Sequence, residues 1–217
     1  MTPSLQGVSE LDLEPGTFAI RASEWRRDAG QQLQNLTQQH ADDDAGGEEM
    51  WHLNDVTRAD GTHLFEVFED RRSMEGPMQT SGRRILFRSP DGEPRMAFER
   101  DGYAVGAPTT LSDCTTDEVL GSWEAPGWLA RFLQSRWQLT DPSGTHLATA
   151  SREWSLSTAF STSSSYTLRT TDGTDVGSIS MHRDGLFFAM NVTLDRSDVP
   201  NELLLAMAYG MFWGISQ

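Results

Sequence analysis

The stretch that decides the fold is Leu203-Leu-Leu-Ala-Met-Ala-Tyr-Gly-Met-Phe-Trp-Gly-Ile215. Its apolar residues occupy every face of a helix, which is typical of a helix that is buried on all sides. It is shorter than the roughly 20 residues that a helix needs to cross a bilayer. We therefore expect a helix that runs through the centre of the folded protein.

The residues before this stretch are typical of a helix amino terminus. Asp198 or Asn201 can cap the first turn, and Pro200 suits a first-turn position. Glu202 complements the positive end of the helix dipole. The sequence therefore predicts a helix that begins close to residue 200.

The rest of the chain is typical of strands joined by tight turns. Asp, Pro and Gly favour the backbone angles of hairpin turns, and such residues centre on positions 59–61, 89–92, 100–102, 141–144, 172–173 and 183–185. Apolar and polar residues alternate beside them, as in Trp137-Gln-Leu139-Thr and Tyr166-Thr-Leu168-Arg. The pattern predicts a β-meander followed by one buried helix.

An internal repeat links the two parts of the chain. Gly-Thr-His-Leu at 61–64 recurs at 144–147, with an offset of 83 residues, and three extra residues in the first loop align Trp51 with Trp137. Three further pairs keep offsets of 81 or 83: Asp91-Gly92 with Asp172-Gly173, Arg100-Asp-Gly102 with Arg183-Asp-Gly185, and Thr110-Leu111 with Thr193-Leu194. We interpret the chain as two similar halves.

The repeat and the buried helix together predict the architecture. The first copy has a helix start at 117–120 that is cut short at Gly121, whereas the second copy extends into the apolar stretch. Two half-sheets that close around one helix leave no exposed strand edge. We predict a mainly β, closed antiparallel barrel of about twelve strands around a hydrophobic C-terminal helix. It forms one domain, 1–217, with halves at about 15–121 and 127–217.

The composition excludes some classes of partner. The 17 basic residues are all Arg and face 32 acidic residues, for a formal net charge of −15. That charge opposes binding to nucleic acids and adsorption to anionic membranes. The acidic segment 40–49 is typical of an exposed, mobile loop. Adaptation to molar salt, as in a halophile, explains both the acids and the missing Lys, whereas a GC-rich genome explains only the missing Lys.

The sequence also favours a cytoplasmic protein. Residues 1–20 have neither the basic nor the continuous apolar region of a signal peptide. The single cysteine, Cys114, excludes an intrachain disulfide. We expect no transmembrane segment.

The segment Gly185-Leu-Phe-Phe-Ala-Met-Asn-Val-Thr-Leu-Asp195, followed by Asp198 and the helix from Glu202 to Ile215, carries a family resemblance. With the repeat, it resembles the Tubby C-terminal-like fold, and within it the LURP-one-related and phospholipid scramblase-like group. The resemblance covers about residues 15–217. It rests on hydrophobicity and turns rather than on catalytic residues.

The resemblance implies a site for an anionic lipid headgroup, which needs a cluster of cations. Strand alternation puts Arg84 and Arg88 on one side and Arg83 on the other, and we take Arg84 and Arg88 as the candidate ligand-binding residues. Pairing of these cations with surface carboxylates is the alternative. A second cluster consists of Arg21, Arg26 and Arg27.

Metal, cofactor and catalytic patterns are weak in this sequence. The resemblance implies calcium, for which Asp195, Asp198 and Glu202 offer oxygens, but these acids also fit the helix start. Cys114 has no basic neighbour in sequence to activate it. The five His, at 40, 52, 63, 146 and 182, lack metal-ligand spacing, and the repeat gives 63 and 146 a structural role. We expect no metal, no cofactor and no catalytic residue.

Trp123 and Trp128 lie in the predicted connection between the halves and are candidates for a protein interface, with packing against the barrel as the alternative. The sequence therefore predicts a non-enzymatic binding domain for a protein partner or an anionic phospholipid headgroup. The other hypothesis is a small-molecule carrier or enzyme with a cavity at the barrel mouth. A helix that fills the lumen, with Leu204, Met207 and Met211 buried, favours the first.

Overall fold

The computed structural model describes residues 13–22, 50–70, 83–100, 108–124, 136–152, 164–184 and 187–215. They form twelve strands followed by one helix, α1 (Asn201–Ile215). The first six strands are β1 (Gly16–Ala22), β2 (Met50–Arg58), β3 (His63–Asp70), β4 (Arg83–Arg88), β5 (Pro94–Arg100) and β6 (Thr109–Asp113). The other six are β7 (Val119–Glu124), β8 (Arg136–Thr140), β9 (His146–Ser151), β10 (Ser164–Thr170), β11 (Asp175–Asp184) and β12 (Phe187–Leu194).

Every strand pairs antiparallel with its neighbours along the chain, and the first strand also pairs with the last. Phe18 of β1 lies opposite Val192 of β12 on one side and opposite Arg58 of β2 on the other. The sheet therefore closes on itself, which leaves no unpaired strand edge. The predicted closed antiparallel barrel of twelve strands is confirmed.

Four hairpin turns share one geometry and show the repeat in three dimensions. In each, a glycine with φ between 83° and 89° donates its N–H to the carbonyl three residues earlier; these glycines are Gly61, Gly92, Gly144 and Gly173. Glycine adopts this left-handed backbone without steric cost. Gly61 and Gly144 are 83 residues apart, and Gly92 and Gly173 are 81 apart, so equivalent hairpins stand in the two halves.

One detail of the repeat alignment is wrong. The expected extra residues of the first loop are absent, because both loops are closed by the same bonds, Arg58 N–H to Thr62 O and Asp141 N–H to Thr145 O. Asn54 pairs with Val67 in the first half, and Trp137 pairs with Ala150 in the second. Asn54 is therefore the equivalent of Trp137. Trp51 is not the counterpart of Trp137; the extra residues extend the start of β2.

The helix α1 lies in the lumen of the barrel. Leu204, Met207 and Met211 are fully buried, as predicted, and so is every side chain from Leu203 to Tyr209. The inward residues of the strands join these side chains in one apolar core. Burial on all sides explains why the stretch is apolar on every face.

Tyr209 and Gly210 anchor the helix to two features of the wall. The Tyr209 ring packs edge-on against Phe87, with centroids 5.4 Å apart, and its hydroxyl donates to Asn54 Oδ1 at 2.7 Å. Gly210 faces the indole of Trp123, where an added Cβ would lie 2.5 Å from Cζ2. The polar bond from Tyr209 and the close backbone approach at Gly210 fix the rotation of the helix in the lumen.

The first residues of the helix are tied to the start of β1. The Asn201 side-chain amide donates to Leu13 O at 2.8 Å, and the Leu13 N–H donates to the buried carboxylate of Glu202. The Pro200 carbonyl accepts the first helical bond, from Leu203 N at 3.1 Å. Asn201 and Glu202 therefore use their side chains to join the start of the helix to the start of β1. Asn201 Oδ1 accepts no hydrogen bond within the described residues, so Asn201 does not act as the predicted cap.

Residues 117–124 do not begin a helix. Asp117 has a φ of 57°, in the left-handed region, so the backbone leaves helical geometry there. Residues 119–124 form β7, which pairs with β6 and β8 and is needed to close the barrel. The first copy therefore carries a strand at the place where the second carries the central helix.

Four turn aspartates give the fold a specific acid sensitivity. Hydrogen bonds from Thr62 to Asp60, Ser89 to Asp91, Ser143 to Asp141 and Thr170 to Asp172 lower the pKa of each carboxyl. A lowered folded-state pKa adds stability above the unfolded-state value, and this is lost as the pH falls through the folded-state pKa. We expect Asp→Asn changes at all four turns to lower the urea midpoint at pH 6 more than at pH 2.5. Parallel stability curves for the two proteins would contradict this.

Several predicted features lie outside the described residues: the loop 40–49, Trp128, Arg26, Arg27, and the turns at 101–102 and 185. Within the described ranges, no helix has both the length and the apolar character needed to cross a bilayer.

Candidate functional site

Two bulges assemble a polar cluster on the outer face of β2 and β3. Asp55 lies directly opposite Glu66. The register shifts at Leu53, so that Leu53 and Asn54 both point inward and His52 shares the outer face with Asp55. A second register shift, at Leu64, places His63 on the outer face together with Glu66. We call His52, Asp55, His63 and Glu66 the His–carboxylate cluster.

The cluster is compact and centred on Asp55. His52 Nε2 lies 2.9 Å from Asp55 Oδ1, and His63 Nε2 lies 3.6 Å from the same oxygen. One ligand atom each from His52, Asp55 and Glu66 lies within 4.8 Å of the others. All of these residues are partly buried, so they are shielded from solvent more than ordinary surface groups.

The carboxylates set the charge of His52. Burial of its imidazole disfavours the charged form, but the hydrogen bond and charge of Asp55, together with the charge of Glu66, outweigh this and raise the pKa of His52. The two acids therefore favour the protonated form of the imidazole.

Arg21 and Arg88 flank the cluster, since register places Arg21 opposite Asp55 and Arg88 opposite Glu66. The Arg21 guanidinium donates to Asn191 Oδ1 at 3.0 Å and Met190 O at 3.2 Å, both on β12. The Arg88 guanidinium lies 4.9 Å from the centre of the Phe68 ring, which also stacks on His52 at 4.9 Å. Arg88 Nη2 also lies 2.9 Å from Met50 Sδ.

The second half shows the same scaffold without the acids. Gln138 lies opposite Thr149, at the places of Asp55 and Glu66. There the equivalent of His63, His146, contacts the Ala148 carbonyl at 3.0 Å and the Thr149 hydroxyl at 2.8 Å. His146 thus has the structural role that the repeat predicted, whereas His63 turns towards a carboxylate.

The candidate ligand residues Arg84 and Arg88 lie on the same outer side of β4. Arg84 Nε is 3.1 Å from Glu99 Oε1 on β5, in a largely exposed pair. Four residues along a strand separate the two Cα atoms by about 13 Å. Each guanidinium therefore has its own surroundings, and a single phosphate cannot easily engage both.

Cys114 has a basic neighbour in space that the sequence does not reveal. Burial of the thiol raises its pKa, and the charge of Arg84 only partly opposes this effect. A thiol that stays protonated at neutral pH is a poor nucleophile, which agrees with the predicted inert role.

Trp123 is not an interface residue. It points into the core from β7, is 1% exposed, and packs edge-on against Phe98 with ring centroids 5.3 Å apart. The alternative, packing against the barrel, is what the structure shows. The reason is a register shift in β7 at Leu120, between the pairs Gly121–Leu111 and Val119–Ser112, which lets Leu120 and Trp123 both be buried although three residues separate them.

The three acids considered for calcium face different surroundings. Glu202 is 2% exposed and accepts the Leu13 N–H, whereas Asp195 and Asp198 are exposed. The structure thus uses Glu202 to fix the chain at the helix start.

The His–carboxylate cluster could not be predicted from the sequence, because residues 52 and 55, or 63 and 66, lie on opposite faces of a regular strand. The available signal was the departure from the repeat, in which Asp55 and Glu66 replace neutral residues. The chain matches no protein-family model, no curated protein and no solved structure.

Proposed function

We propose that this chain is a non-enzymatic, intracellular binding domain of the Tubby-like type, related to LURP-one-related and scramblase-like proteins, which holds its ligand on the outer wall. The observation that carries the proposal is the buried helix α1. Because its side chains and the inward strand residues fill the lumen, a ligand would bind on the outer wall. This favours a binding domain over a carrier or enzyme with a cavity at the barrel mouth.

An anionic headgroup at Arg84 and Arg88 is the first candidate ligand. Both side chains are partly exposed on the same side of β4. Exposed ion pairs such as Arg84–Glu99 contribute at most about 1 kcal/mol, so a phosphate that accepts two N–H bonds can replace Glu99. The spacing of about 13 Å favours a headgroup with more than one phosphate.

A protein partner is the second candidate. The net charge of −15 opposes approach to an anionic bilayer and favours a partner with a positive surface.

We expect inositol trisphosphate to bind the full-length chain at low ionic strength, as measured by calorimetry, and Arg84→Ala or Arg88→Ala to weaken it by about tenfold or more. The matched control is Arg169→Ala. Arg169 is the repeat equivalent of Arg88, lies on β10 and pairs with Asp175, so its loss leaves binding unchanged.

Vesicles distinguish a free ligand from a lipid. Co-sedimentation with phosphatidylcholine vesicles that contain phosphatidylinositol bisphosphate, but not with pure phosphatidylcholine, would assign the site to a membrane headgroup. Failure of both probes to bind, or equal losses for Arg88→Ala and Arg169→Ala, would contradict the headgroup site and leave a protein as the ligand.

A further inference from the structure

We propose that the His–carboxylate cluster on the outer wall of β2 and β3 is a binding site for a divalent transition metal of the zinc class. His52, Asp55 and Glu66 are the ligands, and His63 completes the set. The inference does not depend on the proposed function, because it uses other residues and another class of ligand.

The geometry is close to that of a metal site. Tetrahedral Zn²⁺ holds N and O ligands at about 2.0–2.2 Å, which puts the ligand atoms about 3.3 Å apart. The two distances to Asp55 Oδ1, 2.9 Å from His52 and 3.6 Å from His63, bracket this separation. Glu66 completes the group within 4.8 Å, a gap that one side-chain rotamer adjustment can close.

His63 supplies an independent observation. Its side chain is 37% exposed, but the Nε2 atom itself is shielded from solvent and has no hydrogen-bond partner within the described part of the chain, since Asp55 Oδ1, at 3.6 Å, is too far for a hydrogen bond. A buried polar atom without a partner is destabilising unless something else satisfies it. The repeat-equivalent His146 satisfies the same atom with Ala148 and Thr149. A metal beside Asp55 would satisfy His63 Nε2.

The two facing acids also support a cation site. Like charges directly opposite each other on a sheet are destabilising, yet Asp55 lies opposite Glu66. The second half folds into the same hairpin with Gln138 and Thr149 at these places, so the scaffold does not require carboxylates there. A divalent cation would bridge the two facing carboxylates.

The donor set selects the class of ion. Ca²⁺ and Mg²⁺ prefer sites made of oxygen ligands only, whereas imidazole together with carboxylate suits Zn²⁺ and its neighbours Co²⁺ and Ni²⁺. Two neutral imidazoles and two carboxylates would also make an uncharged assembly with a divalent ion, because the two positive charges of the ion balance the two carboxylates.

The test is calorimetric titration of Zn²⁺ into the full-length chain after removal of metals with EDTA. We expect one equivalent to bind with a Kd below about 10 µM. His52→Gln, His63→Gln and Glu66→Gln should each weaken binding by about tenfold or more, since even outer-shell changes cost 10–100-fold. His146→Gln, the matched control in the second half, and Cys114→Ser should keep the native affinity. Ca²⁺ should not displace the Zn²⁺.

Melting in EDTA separates a metal site from a structural ion-pair cluster. If the acids serve metal binding, Glu66→Gln removes a like-charge contact and melts at or above the native temperature without metal, while it loses the Zn²⁺-induced shift. The proposal is wrong if Glu66→Gln lowers the metal-free melting temperature and leaves Zn²⁺ affinity unchanged. It is also wrong if the native chain binds no Zn²⁺ in the micromolar range, or if His146→Gln loses as much affinity as His63→Gln.

Discussion

Met207→Asp should prevent the chain from folding. Met207 is fully buried in the middle of α1, and the helix is enclosed by the barrel wall on every side. Loss of a buried Met side chain costs about 2–5 kcal/mol, and a buried unpaired carboxylate adds several more. The sum is comparable to the whole stability of a typical domain, about 5–15 kcal/mol. Circular dichroism and thermal melting of the purified variant measure the outcome.

Met207→Leu is the matched control for this change. It keeps the volume and apolar character of the side chain, so its cost should stay below about 1.5 kcal/mol. If Met207→Asp gave a soluble chain with a cooperative melt close to that of Met207→Leu, α1 could not be the core of the barrel.

Gly210→Ala should destabilise the protein even though alanine is the better helix former. The new Cβ would lie 2.5 Å from Trp123 Cζ2 and 2.8 Å from Cε2. Trp123 is fixed by Phe98 and by burial, so it has little space in which to move. Overpacking costs about 1–3 kcal/mol or more in rigid cores, which exceeds the gain of about 1 kcal/mol in helix propensity. Urea unfolding measures the difference.

A double-mutant cycle isolates the cause. In a Trp123→Phe background the smaller ring leaves space beside Gly210, so Gly210→Ala should cost less there than in the native chain. The same loss in both backgrounds would show that contact with Trp123 is not the source. A gain in stability in the native background would show that the helix is free to shift in the lumen.

The fold could be predicted from the sequence because its signals are local. The all-round apolar stretch at 203–215 identifies the core helix, and Gly at four of the hairpin turns marks where one strand ends and the next begins. Among the described residues, the prediction of a helix is wrong at 117–120, where similarity to the start of α1 competes with the requirement that β7 pair with β6 and β8. That requirement belongs to the closed sheet and has no local signal.

The polar cluster could not be predicted, because it depends on backbone irregularities. Regular alternation places His52 and Asp55 on opposite faces, and the bulge at Leu53 brings them together. Only the register of the folded sheet contains this information. The environments of Arg84 and Cys114 likewise depend on neighbours on other strands, which spacing along the chain does not give.

The order of the elements along the chain has a consequence for biosynthesis. All twelve strands precede α1, so the wall leaves the ribosome before the side chains that fill it. β1 cannot pair with β12 until β12 has been synthesised. Leu13 likewise cannot bond to Asn201 and Glu202 until these residues, almost 190 positions later, have been synthesised. Contacts of such long range make folding slow, and apolar strand faces without a core are prone to aggregate. We therefore expect the nascent chain to need a holding chaperone until the helix has emerged.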